Sequence, residues 1–573
     1  MPRWRILFFL VVSRVLNAEP VTITVLATTD LHGNLFPYDY FTASPADRGL
    51  AGIATLIRAA RAESSHVLLI DCGDAIQGSP LEGLYQRYAR DGRLPPGLAF
   101  TGPALRADPM MLAMNELGYD AMTVGNHEYN FGLANFEKAR HDARFPWLSA
   151  NTEVEPGSRA RPLDRYVIKT VGGIKVAVIG ITTPSVPAWE KPENYAGYRF
   201  GDGVEAARKS VAGLRAQHQP DLILVAAHAG LDRDLDTGRI FAGSVPGENM
   251  VYQIATQVEG IDAIVFGHTH QQLAGERVGK VLLAQAKNWG MSIARLDFVF
   301  ETAPGARPRL QSSSSRLIPA NAAAAPDARI LELARPYHEL TERFLNLPFA
   351  ASPAALDAAL SRVRDTALID AVHAVQLHYA RADISFASAF NPRVRFDKGP
   401  VTVRQASALY VYDNELYAIE GDGRMVREAL ENAARYFRSC ADPDCTNRPL
   451  IRSDVIGYNF DMAQGVEYEI DLGKPEGSRV RTLTWRGRPL GDQQRVRIAV
   501  NHYRYGGSGG YTMFRRGKIV WRSHREIRDL LIDYYTRRKM FPAAADNNWR
   551  IVPPAAARSL EREARGDPAP GDR

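Results

Sequence analysis

The chain has 573 residues, 45% hydrophobic and 23% charged, with a formal charge of +6. That length exceeds one hydrophobic core, and roughly 150 residues per domain gives about two to four domains. The small, scattered excess of Lys and Arg excludes a groove for a nucleic-acid polymer and leaves at most a mild pull on anionic small molecules.

In chain order, residues 1–18 carry Arg3 and Arg5, an apolar run from Ile6 to Val12 and a possible cut after Ala18. This resembles a secretory signal and predicts a periplasmic or secreted protein. No later run reaches the roughly 20 apolar residues that a spanning helix needs, so no transmembrane segment is expected.

Val21 to Thr29 predicts a strand that empties into Asp30-Leu31-His32-Gly33-Asn34. After a helix over Gly52 to Ala62, the stretch from His66 to Asp74 is a second strand and its exit, with Cys72 read as a small buried hydrophobe rather than a ligand. A helix over Pro109 to Leu117 feeds the short apolar run that stops at Gly125-Asn126-His127-Glu128-Tyr129-Asn130. Ile174 to Ile181 is an apolar strand ending in Thr182-Thr183-Pro184, with no obvious ligand. Two further strands end at His228 and at Gly267-His268-Thr269-His270. Strands alternating with helices argue for an α/β domain, and open α/β sheets bind ligands at the carboxyl ends of their strands.

From Thr302 to Pro326 the composition shifts to Pro, Ser and Ala, as at a domain boundary. We therefore expect a first domain over 20–318, a connecting helix over 326–346, a mixed α/β second domain over 349–552 and a disordered tail over 553–573. With 3 cysteines the chain is no disulfide scaffold, and the spacing of Cys440 and Cys445 allows a local bridge without requiring one.

The candidate ligands Asp30, His32, Asp74, Asn126, His228, His268 and His270 offer carboxylate, imidazole and amide donors and no thiolate. That set suits Mn, Zn, Co or Fe over thiolate-selected metals. It exceeds what one tetrahedral ion uses. Two ions about 3.5 to 4 Å apart that share a carboxylate can clamp a phosphate and activate water, so phosphoester hydrolysis follows as the reaction class.

The series Asp30-x-His32, Gly73-Asp74, Gly125-Asn126-His127-Glu128, His228 and Gly267-His268-x-His270 resembles the calcineurin-like metallophosphoesterase superfamily. With Gly457-Tyr-Asn-Phe460 and Asn501-His-Tyr-Arg504 before Gly506-Gly507, the likeness narrows to the 5′-nucleotidase/2′,3′-cyclic-nucleotide phosphodiesterase family. The resemblance implies an N-terminal α/β/β/α sandwich, a connecting helix and a C-terminal nucleotide-binding domain. It further implies one divalent ion on Asp30, His32 and His270, another on Asn126, His228 and His268, and Asp74 bridging. His127 is then the group that stabilises charge on the phosphoryl oxygens or leaving group.

In the 5′-nucleotidase branch an aspartate three residues after that histidine pairs with it, whereas this chain has Asn130. An amide orients an imidazole without holding it charged as a carboxylate does. The resemblance therefore tilts toward the branch acting on 2′,3′-cyclic nucleotides and 3′-nucleotides, with a 5′-nucleotidase or nucleotide-sugar hydrolase as the alternative. A nucleotide-binding surface protein with an idle metal site is the alternative of another class. Two aromatic faces hold a base with little regard to its identity. Tyr503 is the first candidate, with Tyr458 or Phe460 as partner, while Asn391 and Arg393 are candidates for ribose or phosphate contact.

Overall fold

The computed structural model describes residues 19–566 apart from 96, 99–104, 242–244, 304 and 323–324. The expected leader at 1–18 and residues 567–573 of the expected tail lie outside the described residues.

Two six-stranded sheets face each other in the N-terminal half. The first holds β1 (Glu19–Thr28), β2 (Val67–Asp71) and β3 (Ala121–Thr123), mutually parallel, with Ser292–Thr302 antiparallel beyond β1 and Arg309–Pro319 antiparallel to Ser292–Thr302 at the edge. The second holds β4 (Ile174–Thr182), β5 (Leu222–His228) and β6 (Ala263–Phe266), again parallel. Alternation along each strand decides the layers. Ile23, Val25 and Ala27 of β1 meet Val176, Val178, Leu224 and Val265 in the core between the sheets. Leu26 and Leu69 turn outward onto the helices Leu50–Glu63 and Pro109–Leu117. Ile179, Val225 and Phe266 turn the other way, onto Gly203–Gln217 and Val251–Gln257. The result is the α/β/β/α sandwich.

Register brings the strand exits together. Thr28 pairs with Asp71 and Asp71 with Met122, while His228 pairs with Thr182 and Ala227 with Phe266. The loops after β1, β2, β3, β5 and β6 thus leave from one edge of the sandwich. The Pro/Ser/Ala-rich stretch read as a boundary contains the edge strand Arg309–Pro319, the outer arm of a hairpin on which Ser312, Ser314 and Arg316 face solvent while Ser313, Ser315 and Leu317 are half-buried.

Asp327 caps the connecting helix Ala328–Leu345, which buries Ile330, Leu340 and Phe344 against the N-terminal core. Beyond it, a five-stranded sheet runs in the order Asp461–Gln464, Ile384–Ser388, Arg495–Asn501, Glu415–Asp422, Lys518–Glu526. A four-stranded sheet ends at Trp549–Val552. Cys440 and Cys445 are joined by a disulfide. The expected tail is helical over Pro554–Arg565. Ala556 and Leu560 are buried there, and Glu563 accepts the Leu450 and Ile451 N–H groups, anchors that composition does not reveal.

Candidate metal centre

The ligand loops owe their shape to backbone that only tertiary packing sustains. Asp30, His32, Asp74, His268 and His270 all have positive φ, at 51°, 47°, 60°, 73° and 56°. Such non-glycine residues cost on the order of 1–3 kcal/mol each and cluster where surrounding structure over-determines them. Glu128 supplies part of that determination: its buried carboxylate accepts the N–H groups of Asp74 at 2.9 Å, Ala75 at 2.6 Å and Gly125 at 2.7 Å. Burial and the nearby Asp74 charge push its pKa up to about 7. Glycine at 125 is dictated by crowding, since a Cβ there would stand 2.2 Å from Asp74 Oδ1.

Two groups of donor atoms result. Atoms of Asp30, His32 and His270 lie within 4.8 Å of one another, and so do those of Asp74, His228 and His268. Asp74 joins them: its Oδ2 is 2.9 Å from His228 Nε2 and 4.0 Å from His32 Nε2. Asn126 Oδ1 lies 3.1 Å from His228 Nε2. All seven candidate ligands therefore meet in one pocket.

The residues fit divalent cations on their own chemistry. His32 Nδ1 and His228 Nδ1 each face a backbone carbonyl, of Gln77 and of Cys72, at 2.8 Å. Those carbonyls hold the ring proton on Nδ1 and leave Nε2 as a lone-pair donor. His32 Nε2 and His270 Nε2 stand 3.0 Å apart, with Asp30 Oδ1 3.4 Å from the latter, so electron-rich atoms crowd round a common point. Burial pushes the Asp30 and Asp74 carboxyls up, but the facing imidazoles outweigh it and hold both below the usual carboxylate range. Burial and His270 lower His32 to about 4, keeping it neutral, while Asp74 overcomes the burial of His228 and raises it to about 10, so a cation binding at His228 Nε2 displaces the proton that Asp74 Oδ2 otherwise draws there.

His127 stands beside this pocket, its Nε2 4.0 Å from Asp74 Oδ2 and its backbone N–H donating to Asp74 Oδ1 at 2.8 Å. Its Nδ1 is 2.5 Å from Asn130 Oδ1. Behind Asn130 lies Glu190, whose Oε2 accepts from Asn130 Nδ2. Sequence reasoning missed Glu190, because the strand before it ends without a ligand and nothing local marks the loop. It also missed Glu248, whose Oε1 is 3.0 Å from His268 Nε2, and gave Glu128 no role although it stands in the quoted motif.

The pocket floors a cleft of about 1600 Å³ whose far wall belongs to the C-terminal half. Tyr503 and Tyr458 line it, as do Asn391 and Arg393. Tyr503 is 39% exposed and stacks on Trp189, ring centres 6.4 Å apart. Asn391 braces its own loop, donating to Ala408 O and accepting the Arg393 N–H. Phe460 is the correction: it is fully buried, packed on Tyr436, Phe437 and Trp549, and does not reach the cleft. Tyr412, 43% exposed, lines the cleft instead, set edge-on to Phe390 and to Tyr458.

Residues 23–272 match the calcineurin-like phosphoesterase family and residues 348–516 match the 5′-nucleotidase C-terminal domain. The chain is 29% identical to the 2′,3′-cyclic-nucleotide 2′-phosphodiesterase/3′-nucleotidase of Salmonella typhimurium, over 97% of this chain and 92% of that one. It is 28% identical to the trifunctional nucleotide phosphoesterase protein YfkN of Bacillus subtilis, over 94% of this chain but only 39% of the length of that relative. Among solved structures, a Staphylococcus aureus chain provisionally described as a 5′-nucleotidase superposes with a TM-score of 0.78 at 25% identity, covering 93% of this chain and all of its own. No helix among the described residues is long and apolar enough to cross a membrane.

Proposed function

From the premise that the chain is a metallophosphoesterase, pairing a calcineurin-like phosphoesterase domain with a 5′-nucleotidase C-terminal domain, we propose that it opens 2′,3′-cyclic nucleotides to 3′-nucleotides and then removes the 3′-phosphate. The observation that carries this reading is the junction of two donor triads through Asp74 at the foot of a cleft walled by Tyr503, Tyr458 and Tyr412. Relatives of matching length that bear this activity support the substrate class.

Asp30, His32 and His270 would hold one divalent cation and Asn126, His228 and His268 a second, with Asp74 between them. When bound, the pair supplies charge neutralisation at the phosphoryl group and activation of water. The chain's own part is positioning. Glu128 fixes the loops that carry Asp74 and Asn126 by tying their N–H groups to one carboxylate. His127 keeps its Nδ1 proton on Asn130 and directs Nε2 into the pocket, where a second proton on Nε2 would stabilise charge building on the phosphoryl oxygens or the leaving oxygen. Tyr503 and a facing tyrosine hold the base at a distance that delivers the ribose phosphate to the pocket floor, worth about 1–3 kcal/mol per stacked ring. The domain limits read from sequence serve the same division, with the first carrying the metals and the second the base. Residues 1–18 direct export in this proposal.

Phosphate release from 2′,3′-cyclic AMP, 3′-AMP, 5′-AMP and UDP-glucose with added Mn tests it. Preference for the first two is the expected result. Preference for 5′-AMP returns the chain to the 5′-nucleotidase reading that the Staphylococcus aureus likeness favours.

A further inference from the structure

We propose that Glu190 is a positioning residue for His127, acting through Asn130, and that the pair Asn130 and Glu190 does together what a single carboxylate would do alone. This rests on His127 acting in turnover as proposed above, and deepens that reading.

An asparagine side chain presents an acceptor on one side and donors on the other, and can be turned either way about its last bond. A neighbour that can only accept removes the choice. As a carboxylate, with Oε1 already taken by the N–H groups of Lys191 and Asn194, Glu190 is such a neighbour: its Oε2 lies 2.5 Å from Asn130 Nδ2, which then carries the NH2 group. Asn130 Oδ1 then faces His127 Nδ1 at 2.5 Å, and an oxygen that can only accept requires the ring proton on Nδ1. The glutamate thus sets the histidine tautomer one residue removed, and leaves Nε2, 4.0 Å from Asp74 Oδ2, as the atom that faces the pocket.

Glu190 is itself held in register. Its Oε1 accepts the Lys191 N–H at 2.6 Å and Asn194 Nδ2 at 2.9 Å, and Asn194 Nδ2 also donates to Asn130 O at 3.1 Å. The loop bearing it follows the turn Val186–Trp189, whose Trp189 stacks on Tyr503, and Lys191 forms an ion pair with Glu415 of the C-terminal half. The carboxylate behind His127 is therefore carried by a segment that touches both walls of the cleft.

Swapping the two polar groups separates this from a merely structural role. Asn130→Asp alone sets two carboxylates in contact, and kcat for 3′-AMP should fall about 30-fold with KM within about twofold. Adding Glu190→Gln gives back a donor opposite the new carboxylate, and the double variant should recover at least about tenfold of that loss. Glu190→Gln alone lets the Asn130 amide turn either way, and should lower kcat about fivefold. In ¹⁵N-histidine spectra of the zinc-loaded protein, wild type should show His127 with the proton on Nδ1 and Glu190→Gln should show mixed tautomers. A double variant no better than Asn130→Asp, or a Glu190→Gln spectrum and kcat identical to wild type, would overturn the assignment. If Asn130→Asp does not fold, the Glu190→Gln spectrum decides alone. His127→Ala with undiminished kcat would remove the premise and the proposal together, whereas a His127-dependent kcat with no rescue removes Glu190 only.

Discussion

The two walls of the cleft are built on opposite plans. The wall that carries the candidate ligands is buried and strained: Asp30, His228 and Asp74 are at most 1% exposed, and five of the candidate ligands hold positive φ. Each of those side chains is fixed by neighbours that are fixed in turn, from Glu128 under three N–H groups to the carbonyls behind His32 and His228. The aromatic wall is open. Tyr503 and Tyr412 are 39% and 43% exposed and hold their places by ring contacts. Directional donors cannot substitute for one another, whereas any π-face can stack on a base, so one wall should be brittle and the other redundant.

Asp74→Ala probes the brittle side most severely. Because its carboxylate faces both triads, loss of bound metal should accompany a fall in phosphate release of at least about a thousandfold. Metal content retained in full would break the contrast. Phe460→Ala sharpens it from the other half: this ring is core rather than cleft, so thermal unfolding should show about 3–5 kcal/mol of lost stability with KM of the surviving enzyme nearly unchanged. At Gly125 an added methyl would meet Asp74 Oδ1 at 2.2 Å and the Asp74 nitrogen at 2.7 Å. Gly125→Ala should cost about 1–3 kcal/mol and weaken metal binding in a metal titration, since backbone has to move. Tyr503→Ala should raise KM about tenfold and leave the melting temperature alone, and Tyr412→Ala should do somewhat less, as expected where neighbouring rings cover for one another.

A further effect concerns pH and lies away from the cleft. His373 is buried against Ser385 Oγ at 3.0 Å, and burial lowers its pKa from 6.5 to about 3. The unfolded chain takes up the proton below 6.5 while the folded chain resists until about 3. Stability from this group is therefore complete above pH 6.5 and is lost as pH falls toward 3, at about 1.4 kcal/mol per unit. His373→Gln should flatten the acid side of the stability curve by up to that slope. Denaturant unfolding between pH 4 and 7 measures it, and an unaltered slope would show that the titration belongs to other groups.

The contrast between the walls also explains what could be read in advance. Asp30, His32, Asp74, Asn126, His228, His268 and His270 were legible because each sits within a few residues of an apolar run, and the end of a parallel strand is a position that local sequence marks. The aromatic side of the cleft was only half legible. Tyr458 and Phe460 share the turn Gly457–Asn459 and the residue after it, yet one ring faces the cleft and the other the core. Tyr412 carried no local mark at all. Glu190 was invisible for the same reason: its partner Asn130 lies 60 residues earlier.

Taken alone, the order of residues determined the α/β alternation, the donor set and the chemistry that set can perform, because strand periodicity and ligand type are properties of short segments. The tertiary structure decided that Asp74 joins two triads, that Phe460 is core, that Pro554–Arg565 is a docked helix and that a glutamate stands behind Asn130. Those outcomes depend on which distant surfaces meet, and the energy that selects them comes from packing between elements rather than from preferences within one.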